Sequence, residues 1–240
     1  MSGRYALYYA PERESTLDLF GRHFLGRCAE TGKRYEQPNL PDAGAEGVHG
    51  LTSSPRFYGF HGTIVPPFHL KDSSTPGALL ERAQAFARSQ PSCDLGTLSV
   101  KELGSFIALV PSQTLPVVRL AEAGLRSFHH LREQPSLAEM ERRRSRGLTV
   151  TQERLLATWG YPYVLEEFRF HLTLTDSIGD TRLRKKMVKS LHGLTAPFSR
   201  TTYAIREVCV FYQSDTASPF SLIKRIPFGN TQESVCTTAD

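Results

Sequence analysis

Residues 58–65 read Tyr-Gly-Phe-His-Gly-Thr-Ile-Val, and residues 168–175 read Phe-Arg-Phe-His-Leu-Thr-Leu-Thr. Both runs are largely apolar, and both carry a His two positions before a Thr. Side chains along a strand alternate between its faces. In the first run His61, Thr63 and Val65 therefore share one face, opposite Phe60, Gly62 and Ile64. In the second, Arg169, His171, Thr173 and Thr175 share a face, opposite Phe168, Phe170, Leu172 and Leu174. The apolar faces need helices to cover them, which leaves the two His/Thr faces for solvent or for a groove between them. The first strand is expected over about residues 56–65, stopped by Pro66-Pro67, and the second over about residues 167–175.

The flanking sequence repeats an order of elements. An opening strand ends at Pro11, and Ser15, with Asp18 three residues on, can cap a helix burying Leu17, Phe20, Phe24, Leu25 and Cys28. Residues 37–54 form a long connection rich in Pro, Gly and Asp, expected to be a lid or flap. After the first His strand come a helix over residues 76–88, two strands near residues 95–102 and 105–110 with Gly104 in the turn, and a helix over residues 115–130. More helix is expected between Ser136 and Trp159, with a break near Gly147. The second His strand is followed by a helix over residues 181–192, stopped by Gly193, and two strands near residues 203–212 and 220–226. Thus "His strand, helix, strand pair" occurs twice, predicting an α+β fold of two similar antiparallel sheets flanked by helices around a central cleft. The expected organisation is one bilobal domain over residues 1–229, with a polar, disordered tail over 230–240.

Composition narrows the class. The chain has 240 residues, of which 40% are hydrophobic and 22% charged, as in a globular protein that needs no disulfide or metal staple. No apolar run approaches the ~20 residues that span a bilayer, and the N-terminus lacks a secretory pattern, so a cytoplasmic protein without membrane partners is expected. The four cysteines, Cys28, Cys93, Cys209 and Cys236, are far apart and read as reduced, mostly buried thiols. A net charge of +5 suits an anionic partner without identifying one. The basic clusters over residues 141–146 and 182–186 read as solvated helix faces.

The repeated pair suits a particular chemistry. Two imidazoles facing one cavity can act as general base and general acid near neutral pH. A Thr hydroxyl two residues on can donate to an anionic oxygen on the same face. A phosphoryl group held between them would meet a nucleophile on one side and a proton donor on the other, with Arg169 as a cationic clamp and Tyr58 at the rim. Each feature also has a plainer explanation: half-exposed strand histidines, an exposed Arg, an aromatic at a strand start. No Asp, Glu or Cys stands at metal-ligand spacing from the two His, and no phosphate-cradling Gly loop or nucleophile elbow is visible.

His61-Gly-Thr-Ile64 and His171-Leu-Thr-Leu174 resemble the paired His-x-Thr-x motifs of the two-histidine (2H) phosphoesterase superfamily. RYALYYAP, LTSSPRFYGFHGTIVPPFHL, WGYPYVLEEFRFHLTLT and the closing strands resemble its branch associated with phosphonate-metabolism gene clusters, typified by domain of unknown function 1045. The resemblance implies a bilobal fold with both motifs in one cleft and metal-independent opening of cyclic phosphodiesters, with no cofactor. His61 and His171 would be the acid/base pair, and Thr63 and Thr173 the phosphate-binding hydroxyls. The implied partner is a small phosphodiester or nucleotide, either 5-phosphoribosyl 1,2-cyclic phosphate or a 2′,3′-cyclic nucleotide or RNA end. Non-catalytic binding of a nucleotide or RNA end in the same cleft stays open, as does the oligomeric state. The branch is expected to read YGFHATLKAPF here. This chain has Gly62 for the Ala and Val65 for the Lys, and strand parity puts Val65 on the cleft face.

Overall fold

A computed structural model describes residues 3–145 and 147–229. The expected tail over residues 230–240, with Cys236, lies outside them. Strand β1 (Arg4–Tyr9) leads into helix α1 (Thr16–Leu25), where the Ser15 side chain accepts from the Asp18 N–H. Such an N-cap stabilises a helix by about 1 kcal/mol. Helices α4 (Pro76–Arg88), α5 (Leu115–Phe128), α6 (Leu137–Arg144) and α7 (Val150–Trp159) fall where periodicity put them. Thr75, Ser136 and Thr149 cap α4, α6 and α7. The hairpin β3 (Cys93–Leu103) and β4 (Phe106–Pro111) turns at Gly104. Helix α8 spans Thr181–Thr195 and runs past Gly193, because Leu191 and Thr195 in its last turn are buried.

The segment over residues 37–54 is held down rather than free. It contains a 3₁₀ turn (Pro41–Ala43), a short helix α2 (Gly47–Gly50) and the start of α3 (Ser53–Tyr58). Ala43 and Val48 are buried in the main core, and the Gln37 amide donates to the Phe24 carbonyl at 2.7 Å and to the Thr52 hydroxyl at 3.0 Å. Asp42 accepts from the Ser190 hydroxyl of α8 at 2.7 Å.

The first His strand, β2 (Gly62–His69), begins later and ends later than expected. Residues 53–58 are the helix α3, closed by Gly59 at φ 83°. An alanine Cβ at Gly59 would also stand 2.5 Å from the Ala29 Cβ, so both the backbone angle and the space select glycine. The strand passes through Pro66-Pro67 because its only partner there is β1, across an irregularity in register between Val65 and Phe68. Its other edge is paired only at Gly62, so the missing proline N–H groups break no ladder on that side. The second His strand is reduced to β5 (Leu172–Thr173), although burial alternates from Phe168 to Leu174 as the sequence predicts. The closing region forms three strands, β6 (Thr202–Ile205), β7 (Glu207–Gln213) and β8 (Ser221–Pro227).

All strand pairs among the described residues are antiparallel, in the order β6-β3-β4-β5-β2-β1-β7-β8. The two antiparallel halves expected from the sequence are present. They are hydrogen-bonded into one sheet at the single pair Gly62↔Leu172, so the His strands form the seam. The halves are interleaved in sequence. The β3–β4 hairpin that follows the first His strand pairs with the second, and the β7–β8 hairpin that follows the second pairs with β1 beside the first. At Arg206 the chain crosses from β6 in one half to β7 in the other, which splits the strand expected near residues 203–212.

The helices cover one face, where Leu7, Ile64, Val65, Leu79, Phe86, Leu109, Phe128, Leu172 and Leu191 belong to one core. On the other face Ala6, Tyr8, Cys209, Phe211, Phe220 and Leu222 form a smaller core, against which Tyr58 packs. Among the described residues, no helix is long and apolar enough to cross a membrane.

Candidate functional site

The seam builds the site. Around Gly62↔Leu172 the antiparallel register sets His61 across from Thr173 and Thr63 across from His171. The two imidazoles thus lie on one diagonal and the two hydroxyls on the other, about a pseudo-twofold axis through the pair. Diagonal neighbours on one sheet face stand about 7–8 Å apart, room for a phosphoryl group between two side chains.

Both rings are oriented alike. The His61 Nδ1–H donates to the Gly59 carbonyl at 2.8 Å, and the His171 Nδ1–H to the Arg169 carbonyl at 2.7 Å. Each bond fixes a ring to the backbone two residues upstream and leaves Nε2 as the unprotonated, basic nitrogen. The Thr63 hydroxyl lies 3.5 Å from the His61 Nε2. Tyr8 supports the His61 ring from below, stacked at 3.8 Å between centroids and 22° between planes. Phe106 packs on His171 at 5.4 Å.

The environment disfavours the charged form of both imidazoles. Burial pushes the His61 pKa down to about 4; the Gly59 carbonyl opposes this, and the nearby His171 adds to it. Burial also lowers the pKa of His171, against the pull of the Arg169 carbonyl. The opposition of His171 to charge on His61 places that ring within electrostatic reach of it.

A cleft of about 310 Å³ opens over this face, and Tyr58, His61, Thr63 and Thr173 line it. Tyr58 stands at its wall, stacked on Phe220 at 5.1 Å. His171, across the seam from Thr63, is not among these lining residues, and neither is Arg169. It is exposed, and its guanidinium donates to the carbonyls of Glu166 and Phe168, both at 2.9 Å. The cations at the cleft are instead Arg4 of β1 and Arg142 and Arg143 of α6. Arg143 donates to Glu139 and to the Gly160 carbonyl, both at 2.6 Å. The sequence holds a signal for this wall, the Arg142-Arg143-Arg144 run, but helical spacing alone reads it as solvated. Tyr161 and Tyr163 complete the rim opposite β2.

Val65 is not on the cleft face. Between Tyr8↔Thr63 and Leu7↔Val65 the register gains a residue on β2, and such a bulge shifts the alternation by one. Ile64 and Val65 both turn toward α5, each within 3.2 Å of where a Cβ on Gly124 would stand. An apolar residue at 65 therefore removes no cation from the cleft. Among the described residues, no group of three His, Cys, Asp or Glu side chains is placed to hold a metal ion.

A family model described as "Protein of unknown function (DUF1045)" matches residues 63–221. The chain is 32% identical over 235 residues to a protein of Janthinobacterium sp. (strain Marseille) named ribose 1,5-bisphosphate phosphokinase PhnN, covering 96% of this chain and 52% of that one. It is 27% identical over 225 residues to a protein of the same name from Laribacter hongkongensis (strain HLHK9), covering 93% and 51%. The chain thus spans about half the length of these curated relatives. Among solved structures, one described as a phosphoesterase aligns at TM-score 0.45 and 12% identity, over 95% of this chain and 99% of that chain. E. coli LigT complexed with NADP+ aligns at 0.41 and 12%, over 95% and 98%.

Proposed function

The chain belongs to the DUF1045 family of proteins of unknown function, and from its cleft we propose a two-histidine phosphodiesterase that opens a ribose cyclic phosphodiester without a metal. The observation that carries this reading is the matched pair of imidazoles, each held through Nδ1 by the carbonyl two residues upstream and set diagonally across the Gly62–Leu172 seam.

The reaction adds one water. One Nε2 takes a proton as the water oxygen bonds to phosphorus. The bond from phosphorus to one ring oxygen breaks, and the other imidazole delivers a proton to that oxygen. The products are a phosphomonoester and a free hydroxyl. Thr63 and Thr173 donate to the non-bridging oxygens, and Arg4, Arg142 and Arg143 offset the charge there. Burial disfavours protonation of both imidazoles in the empty cleft, so one must gain a proton when the anionic diester enters. A negative charge between them favours this by raising both pKa values.

The substrate favoured is 5-phosphoribosyl 1,2-cyclic phosphate. Breaking its bond from phosphorus to O2 yields ribose 1,5-bisphosphate, the compound in the name of the two relatives. Those relatives are about twice this chain's length, so a kinase activity named for the whole belongs to them. This reading makes the protein a cytoplasmic enzyme acting on a small molecule. The cleft tyrosines favour a second substrate: Tyr58, Tyr161 and Tyr163 offer rings on which the base of a 2′,3′-cyclic nucleotide or RNA end could stack.

The test is turnover of both substrates in the presence of EDTA. His61→Ala and His171→Ala should each lower kcat by ~10²–10⁴-fold, the scale of losing a general acid or base. Wild-type rates in both variants would refute the mechanism. Binding of either compound without turnover by the wild type would leave a non-catalytic ligand-binding protein.

A further inference from the structure

A second cavity of about 550 Å³ adjoins the cleft and shares Arg4, Pro67, Glu139, Arg142 and Arg143 with it. Its wall includes Arg132, which is only 6% exposed. The Arg132 Nε and Nη1 are buried without a hydrogen-bond partner among the described residues. A guanidinium this deep normally pairs with a carboxylate, because leaving buried N–H groups unmet is unfavourable. Here it lies over the Phe68 ring at 5.6 Å instead. Burial, and then the neighbouring Arg143, push its pKa down to about 10, which marks a cation without a counter-charge.

The surroundings are cationic on balance. Arg4, Arg132, Arg142 and Arg143 face Asp72, Glu133 and Glu139, and Glu139 is already engaged by Arg143 at 2.6 Å. The first turn of α6 also contributes, through Ser136 and Ala138. An anion there would meet the positive end of that helix as well as Arg132.

We propose that this cavity binds a second phosphoryl group, a phosphomonoester dianion carried by the same substrate whose cyclic diester lies between His61 and His171. The inference rests on the function proposed above and adds its specificity determinant. Arg132 is the positioning residue for the remote phosphate, and Arg142 and Arg143, common to both cavities, bridge the two groups. The preferred substrate is then a sugar bearing a cyclic phosphate at one end and a monoester at the other. A cyclic phosphate with no second anion leaves Arg132 unpaired.

The experiment compares kcat/KM for 5-phosphoribosyl 1,2-cyclic phosphate and unphosphorylated ribose 1,2-cyclic phosphate. The wild type should prefer the first by roughly 10- to 100-fold, the scale of hydrogen bonds to a charged group. In Arg132→Met that ratio should collapse toward one. Should Arg132→Met fail to fold, Ala138→Glu decides: position 138 is exposed and lines only the second cavity, so a carboxylate there opposes the anion. Equal kcat/KM values in the wild type, or a preference that survives Ala138→Glu, would overturn the proposal. If neither compound is turned over, the two-histidine reading fails, and calorimetry with inorganic phosphate decides the subsite. Binding retained in His61→Ala/His171→Ala but lost in Ala138→Glu supports it. No binding, or binding indifferent to position 138, overturns it.

Discussion

Gly62→Ala tests the seam directly. A Cβ built on Gly62 stands 2.3 Å from the Phe170 Cζ and 2.6 Å from its Cε2. Carbon atoms in ordinary contact lie about 3.5–4.0 Å apart, so the ring or the strand must yield by more than 1 Å. Phe170 is 4% exposed, packed in the main core and facing Tyr9 at 6.2 Å, which leaves it little room to retreat. Overpacking of this kind destabilises by ~1–3 kcal/mol. Replacing glycine recovers roughly 0.4–1 kcal/mol through the unfolded chain. The net expected loss is therefore centred on ~1.3 kcal/mol, a fall in Tm of roughly 3–5 °C for a chain of this size. Activity should fall further than stability. Gly62↔Leu172 is the one pair joining β2 to β5, so a shift there moves His61 against Thr173 and His171. A displacement near 1 Å at a reacting geometry can cost ~10²-fold in rate. Urea unfolding at a fixed m-value measures the first effect, and turnover of the cyclic phosphate the second. Phe170→Leu in the same chain should recover part of both, through a coupling of ~0.5–3 kcal/mol. If Gly62→Ala alone matched the wild type in stability and kcat, the close approach of the two strands would be wrong.

Other expectations follow from the same geometry. The folded pKa of His61, about 4, lies below its ordinary 6.5, so the unfolded chain binds more protons between those values. The stability from burying the neutral ring is thus complete above pH ~6.5 and lost as pH falls toward 4; urea midpoints should drop between pH 7 and 5 more in the wild type than in His61→Gln, and parallel curves would contradict this. Tyr8→Leu removes the ring stacked under His61 and should lower kcat by ~10-fold with little change in KM, on the scale of lost positioning; a change confined to KM would argue that Tyr8 touches substrate. Arg142→Ala should raise KM several-fold and flatten its salt dependence, whereas Arg169→Ala should leave KM and kcat near wild type, because the Arg169 guanidinium is turned to backbone carbonyls. Cys28, Cys93 and Cys209 are buried, and burial pushes the last two thiols up to about 12; a thiol reagent should label all three only on unfolding, so fast labelling of any of them in the native protein would disprove their burial.

Much of the architecture is local and was legible on that account. Ser15 caps the helix it is expected to cap, and Ser136 opens the helix expected to start there, because a cap is a bond within four residues. Burial alternates from Phe168 to Leu174 because strand parity belongs to the backbone. That parity put His61 and Thr63 on one face and His171 and Thr173 on another, and those two faces meet. The parity argument failed at Val65, where an irregularity in pairing with β1 turned two successive side chains toward α5. It gave Arg169 a cleft-facing position without seeing that nearer carbonyls would take the guanidinium. The glycine stop signal at Gly193 failed for a similar reason, since burial of Leu191 and Thr195 carries the helix on.

What the amino-acid order determined by itself is the set of elements, their apolar faces and the pairing of each His with a Thr, since these depend on neighbours a few residues apart. Only the tertiary structure decided that the two His strands meet at a single glycine-to-leucine pair, that each hairpin crosses to the other half, and that an arginine cluster read as solvated helps wall the cleft. Those outcomes depend on pairings between residues about 60 to 210 positions apart. They are set by which buried surfaces pack together at least strain, and no local pattern carries that sum.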